Sequence, residues 1–167
     1  TTGASMPGDV FIGIFNNDNG TQFPAFNQPY DVFKSAEVPV QVDPFPPCIS
    51  NPPILNYHVG IFILQVTLPD NIKGYTATYQ TCCRVNPLAN VYNAPGVGGT
   101  GSTYSCSIPG KPDTSPYFST SVDAICRQKH FNLNFNATDD DQDSLVYSFV
   151  PAFNGGASQN ASNVNPS

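Results

Sequence analysis

Apolar residues fall along this chain in short runs, separated by prolines, glycines and small polar residues. The run DVFIGIF (residues 9–15) predicts an apolar strand that stops at the turn cluster NNDNG. VPVQVD (residues 38–43) alternates, which puts Val38, Val40 and Val42 on one face of a second strand. PFPPCISNPP then breaks regular structure. YHVGIFILQVTL (residues 57–68) predicts the strongest strand, and its unbroken apolar stretch predicts burial on both faces at mid-length. It is too short to cross a bilayer as a helix.

The next stretch, LPDNIKGYTATYQTCCRV, runs from an apolar strand through a turn with Asp and Gly to a Gly-Tyr that opens another strand. That order matches the E–F corner of an immunoglobulin-like sandwich, where a tyrosine hydroxyl bonds back to the backbone, and Tyr75 fits that post. Alternation places Ala77, Tyr79, Thr81 and Cys83 on the face of Tyr75, with Cys82 on the other. NAPGVGGTGST (residues 93–103) is rich in glycine but lacks the spacing of a phosphate loop, and is expected to be a loop or hairpin tip. TYSCSIP (residues 103–109) predicts a last short strand, and GKPDTSP (residues 110–116) has the composition of a linker.

After it the pattern restarts. Phe131, Leu133, Phe135 and Ala137 alternate strictly with Asn132, Asn134 and Asn136, and Leu145, Tyr147 and Phe149 alternate again. Two half-buried strands are therefore expected on either side of the turn DDDQD. The tail, residues 154–167, has no apolar period and is expected to be loose. The predicted architecture is all-β: an immunoglobulin-like β-sandwich over residues 1–109, a linker at 110–116, and the start of a second β module over 117–167.

Composition supports this. Glu occurs once, at Glu37, and the common helix formers are scarce beside 17 Pro and 13 Gly. Only 11% of the 167 residues are charged and the net charge is -6, which argues against a nucleic-acid surface and against an anionic membrane. Five cysteines, none in a C-x-x-C pair, point to structural disulfides in an oxidising compartment rather than to a thiolate metal site. Cys48 is expected to pair with Cys82 or Cys83, and Cys106 with Cys126. No charged start followed by an apolar run stands at Thr1, so the chain reads as a mature or excised piece of an exported protein.

Catalysis is poorly supported. His58 lies in a strand pattern, where a half-buried surface role is the simpler reading, and a lone Glu allows no Glu–Glu acid–base pair. Cys82 or Cys83 paired with a histidine, His58 or His130, as a nucleophile would need an activating cleft, and nothing in the local sequence suggests one. The acidic turn is the strongest chemical feature. Asp139, Asp141 and Asp143 follow a D-x-D-x-D spacing, which offers hard oxygens of the kind Ca²⁺ takes, and Asp113 and Asp123 are candidates for completing the shell. An EF-hand is excluded by Ser144 and Val150 at the positions that loop reserves for Gly and Glu. The alternative is a solvated turn whose charge guards strand edges.

The segment ATDDDQDSLVYSF resembles the A-T-D-x-D-G-D-S-L-x-Y-S signature of bacterial cadherin-like and related immunoglobulin-like surface modules, and TSPYF resembles the N-S-x-P-x-F that opens them. GYTATYQTCCRVNPLANVYNAPGVGGTGSTYSCSIPG resembles the G-Y-x-x-x-Y-x-x-CCR-N…N segment of very large secreted surface proteins of Bacteroidetes. The resemblance covers about Pro44 to Phe149. It implies an adhesin or gliding-motility-associated filament exported by the type IX system to the cell surface, with no enzymatic activity. It carries the family's acidic Ca²⁺ ligands onto Asp139, Asp141 and Asp143, although Gln142 stands where Gly is usual, and it makes Ser144 a candidate O-glycan site. Expected partners are other domains of the same large protein or neighbouring copies, and surface glycans, with no nucleic acid and no membrane insertion. Two other readings stay open: a subunit of a homopolymeric fibre joined by strand addition, and a carbohydrate-binding module in which Tyr92 and Tyr104 stack on sugars.

Overall fold

The computed structural model describes residues 6–24, 29–40, 44–81, 101–118, 125–126, 128–132 and 134–152. Among these residues there is no helix, and eight strands form: β1 (Asp9–Asn16), β2 (Gln22–Phe23), β3 (Tyr30–Pro39), β4 (His58–Phe62), β5 (Tyr75–Thr81), β6 (Ser102–Ile108), β7 (Tyr117–Phe118) and β8 (Ala137–Thr138). No helix among them is long and apolar enough to cross a membrane. The fold is all-β and sandwich-like. The main sheet runs β4-β3-β1-β5-β6, with β2 also on β1, and β7 and β8 form a second, two-stranded sheet.

Contacts divide the chain into two units, each discontinuous in sequence: residues 1–34, 62–113 and 148–167 in one, and residues 35–61 and 114–147 in the other. The first unit is organised around β1. Its start pairs with β3 (Val10 opposite Val32), its end with β2 (Ile14 opposite Phe23), and its other edge with β5 (Ile14 opposite Ala77), all antiparallel. Ile14 is 2% exposed and its neighbour Phe15 is 5% exposed. Successive strand residues face opposite ways, so β1 is covered on both faces. This is why its sequence is a continuous apolar run. Val10, Val32 and Tyr75 complete the buried apolar set among the described residues.

β5 and β6 pair over seven residues, from Tyr75 opposite Ile108 to Thr81 opposite Ser102. The most buried side chains of β5, Thr78 and Gln80, are polar and lie on the face opposite Tyr75. Gln80 Nε2 donates to Thr103 Oγ1 at 3.1 Å across the pair, which meets part of the demand of a buried amide.

The Gly-Tyr corner forms as its sequence predicts. Gly74 adopts φ +70 and its N–H donates to the Asn71 carbonyl, closing the turn. A Cβ at Gly74 would run into the Ile108 carbonyl oxygen, so both conformation and space select glycine. The Tyr75 hydroxyl donates back to the Pro69 carbonyl at 2.9 Å. The β1–β2 turn is clasped to this corner: Asn17 Nδ2 donates to the Lys73 carbonyl and Asn71 Nδ2 to Asn16 Oδ1.

Three expected strands differ. Of the strand expected at residues 38–43, Val38 falls near the end of β3 (Tyr30–Pro39) and is exposed rather than part of a buried face, Val40 lies past the end of that strand, and Val42 lies outside the described residues. Asp31, Lys34 and Glu37 had masked β3: they sit on a strand buried only at Val32. The long run at 57–68 contains only the five-residue β4, and Ile63 is 69% exposed. β4 ends the strand order, and an edge position lacks the neighbours that two-faced burial needs. Of the two strands expected around the aspartates, the first keeps only Ala137, in the two-residue β8, and residues 145–149 make no ladder, with Phe149 fully exposed. A two-residue ladder offers no face broad enough to bury them.

Candidate functional site

The acidic turn follows β8 directly. Asp139 shapes it. Its carbonyl accepts from Gln142 N–H at 3.3 Å, and its Oδ1 accepts from the N–H groups of Asp141 (3.1 Å) and Asp143 (3.4 Å). A short acidic side chain folding back on backbone N–H groups two and more residues on is the usual way aspartate builds a turn. Gln142 has φ 65, the left-handed region that glycine occupies at no steric cost.

Carboxylate oxygens of Asp113, Asp141 and Asp143 lie within 4.8 Å of one another, all exposed. Asp113 immediately precedes Thr114, whose backbone N–H donates to Asp141 Oδ2 at 3.1 Å. That bond ties the segment at Asp113 to the turn. Sequence reasoning missed Thr114, and no local signal marks it, because the contact spans 27 positions. Asp139, expected among the ligands, is not in the group that is brought together: its Oδ1 accepts the turn's own N–H groups. Asp140 and Ser144 are exposed, and Asp123 lies outside the described residues.

The carboxyls of Asp139 and Asp141 interact directly. Their mutual hydrogen bond, chiefly, raises the Asp139 pKa above its ordinary value. The same bond, helped by the Thr114 N–H, holds Asp141 below its own. The donor set is oxygen only, without imidazole or thiolate, and so suits a hard cation such as Ca²⁺ rather than Zn²⁺ or copper. Three carboxylates are fewer oxygens than Ca²⁺ takes, so backbone carbonyls and water would have to fill the rest of the shell.

The cysteines pair differently from expectation. Cys48 is bonded to Cys126, 78 positions along the chain, with Cα atoms 6.4 Å apart. Cys126 is thereby unavailable to Cys106, which stands exposed on β6 opposite Ala77. Cys82 and Cys83 lie outside the described residues. The expectation had joined neighbours along the chain. Both Cys48 and Cys126 belong to the second unit, which draws together residues 35–61 and 114–147. A disulfide of this kind points to an oxidising environment.

The remaining candidates are more ordinary. His58 lies exposed on β4, with Nδ1 2.8 Å from Glu37 Oε1 on the neighbouring strand β3. Tyr104 is exposed but its ring stacks on Tyr79 at 6.1 Å, so one of its faces is already taken. Tyr92 and the glycine-rich stretch up to residue 100 lie outside the described residues.

No protein-family model, no curated protein and no solved structure matches the chain.

Proposed function

We propose that this chain is a non-enzymatic extracellular module of a bacterial surface adhesin or gliding-associated filament, and that its acidic turn holds a structural Ca²⁺. The observation that carries the reading is the convergence of Asp113, Asp141 and Asp143 within 4.8 Å on a turn already shaped by Asp139. Three exposed carboxylates that close repel one another, and a divalent cation turns that repulsion into attraction. The Cys48–Cys126 disulfide and the all-β architecture support an exported setting. The motif resemblance supports the surface role and the candidate O-glycan at Ser144. Extracellular Ca²⁺ modules bind at about 10⁻⁴–10⁻³ M, which suits a millimolar medium.

The test is a thermal melt of wild type and Asp141→Asn, each in millimolar Ca²⁺ and in chelator. Ligand that binds only the folded state raises the midpoint by mass action. The expected result is a rise of several degrees in wild type with Ca²⁺ and little or none in the variant. Equal midpoints in all four samples would leave the turn merely solvated and sink the metal reading.

A further inference from the structure

The turn between β1 and β2 carries Asn19-Gly20-Thr21, an Asn-x-Thr triplet of the kind that accepts an N-linked sugar. The same pattern recurs at Asn136-Ala137-Thr138 and at Asn160-Ala161-Ser162. A triplet this short arises by chance, so the fold around each has to decide between them. Asn160 lies outside the described residues. Asn136 leads into β8, where Thr138 is held in the ladder opposite Tyr117 and the Ala137 N–H is taken by the Tyr147 hydroxyl at 3.1 Å. Asn19, Gly20 and Thr21 instead stand together in an exposed turn.

That turn is held from below. The Asn16 N–H donates to the Thr21 carbonyl and the Gly20 N–H to the Asn16 carbonyl, both at 2.8 Å. Asn17 is fastened to Lys73 and Thr76, and the Asp18 carboxylate meets the Lys73 ammonium at 3.3 Å. At Asn19 the side-chain oxygen accepts twice, from the Thr21 N–H at 2.9 Å and from Thr21 Oγ1 at 2.6 Å. A backbone N–H can donate only to the oxygen end of an amide, so these bonds fix which way the planar group faces. Nδ2 is the end left over, and among the described residues no hydrogen bond occupies it. Gly20, with φ 70, sets no side chain beside it.

We propose that Asn19 is a site of N-glycosylation, its Nδ2 taking a sugar from a lipid diphosphate-linked donor through a transferase met during export. In the transfer Nδ2 bonds to the anomeric carbon of the sugar. The bond from that carbon to the diphosphate oxygen breaks and its electron pair leaves with the diphosphate, while the proton lost from Nδ2 passes to a base of the transferase. Thr21 completes the triplet and also orients the amide, so the two residues act as one unit. The fold accommodates the bulk of a sugar, because residues 17–21 are all exposed and an attached glycan stands in solvent. The Cys48–Cys126 disulfide supports passage through an oxidising compartment, the setting in which such chains are modified. No residue of the acidic turn takes part, so the proposal does not rest on the Ca²⁺ reading.

The experiment is peptide mass mapping of the whole chain recovered from its own organism, with fragmentation that leaves sugar on the asparagine. Wild type is compared with Asn19→Gln and Thr21→Val made in the same organism. Both positions are exposed, and circular dichroism verifies that the variants fold. In wild type the peptide containing Asn19 is expected to carry the mass of a glycan on that residue, and the peptide containing Asn136 none. Either variant should abolish the added mass, Thr21→Val doing so with Asn19 still in place. A wild-type chain with Asn19 bare overturns the proposal whatever the variants do. So does a Thr21→Val chain that keeps its sugar, and so does a glycan found on Asn136 in place of Asn19.

Discussion

The Tyr75 ring lies edge-on to Phe23, with centroids 6.2 Å apart, while its hydroxyl reaches the Pro69 carbonyl. One side chain thus joins β5 to β2 and closes the corner that precedes it. Tyr75→Phe keeps the ring and removes only the hydroxyl. It should cost about 1 kcal/mol, the usual net worth of one such bond, read as a lower urea midpoint with an unchanged slope. The acidic turn makes a second prediction at this scale. Because its pKa is raised, Asp139 contributes stability that is full below its unfolded pKa and lost as pH rises through the folded value. Asp141, lowered, contributes stability present above its unfolded pKa and lost as pH falls through the folded value. The two effects oppose each other in the carboxylate range. Carboxyl carbon NMR should find Asp139 titrating above Asp141. In Asp139→Ala the Asp141 value should move up, yet stay below ordinary because Thr114 still donates to it. An unmoved Asp141 would show that the hydrogen bond between the two is not formed.

Among the elements, those whose burial matches their own sequence were legible. β1 is apolar between its end residues Asp9 and Asn16, and the Gly-Tyr corner needs only a left-handed glycine and a tyrosine, both local requirements. β3 and β4 were misjudged for opposite reasons. β3 carries charges because most of it is exposed, and β4 opens the longest apolar run yet lies at an edge. Edge or centre is a property of strand order, which no single strand's sequence contains. The Cys48–Cys126 bond is a prediction at this scale. It closes 78 positions, a length at which chain-entropy arguments assign a bridge about 4 kcal/mol. Cys48→Ser should lower the unfolding midpoint accordingly, and the two peptides should separate in a non-reduced mass map. A map in which Cys126 is joined to Cys106 instead would restore the pairing expected from the sequence.

Across the whole molecule, protection from hydrogen exchange should follow strand order. Amides of β1 and β5, each bonded on both edges within the main sheet, should exchange slowest. Those of β7 and β8, a ladder of two residues, and of residues 142–152 should exchange far sooner. Comparable protection in β8 and β5 would contradict the division between a stable main sheet and a marginal small one.

The sequence by itself determined the all-β class, the presence of the apolar strand at residues 9–15, the tyrosine corner, and the acidic turn with its oxygen-only chemistry. Each depends on neighbours a few positions away, and local sterics and periodicity reach that far. Only the tertiary structure decided that Thr114 fastens Asp141, that Asp113 joins the carboxylates while Asp139 shapes the turn, that Cys126 meets Cys48, and that Phe131 and Phe135 are left uncovered. Apart from the turn built by Asp139, these depend on segments tens of residues apart. Which distant segments meet is settled by the competition of all of them for one limited buried surface.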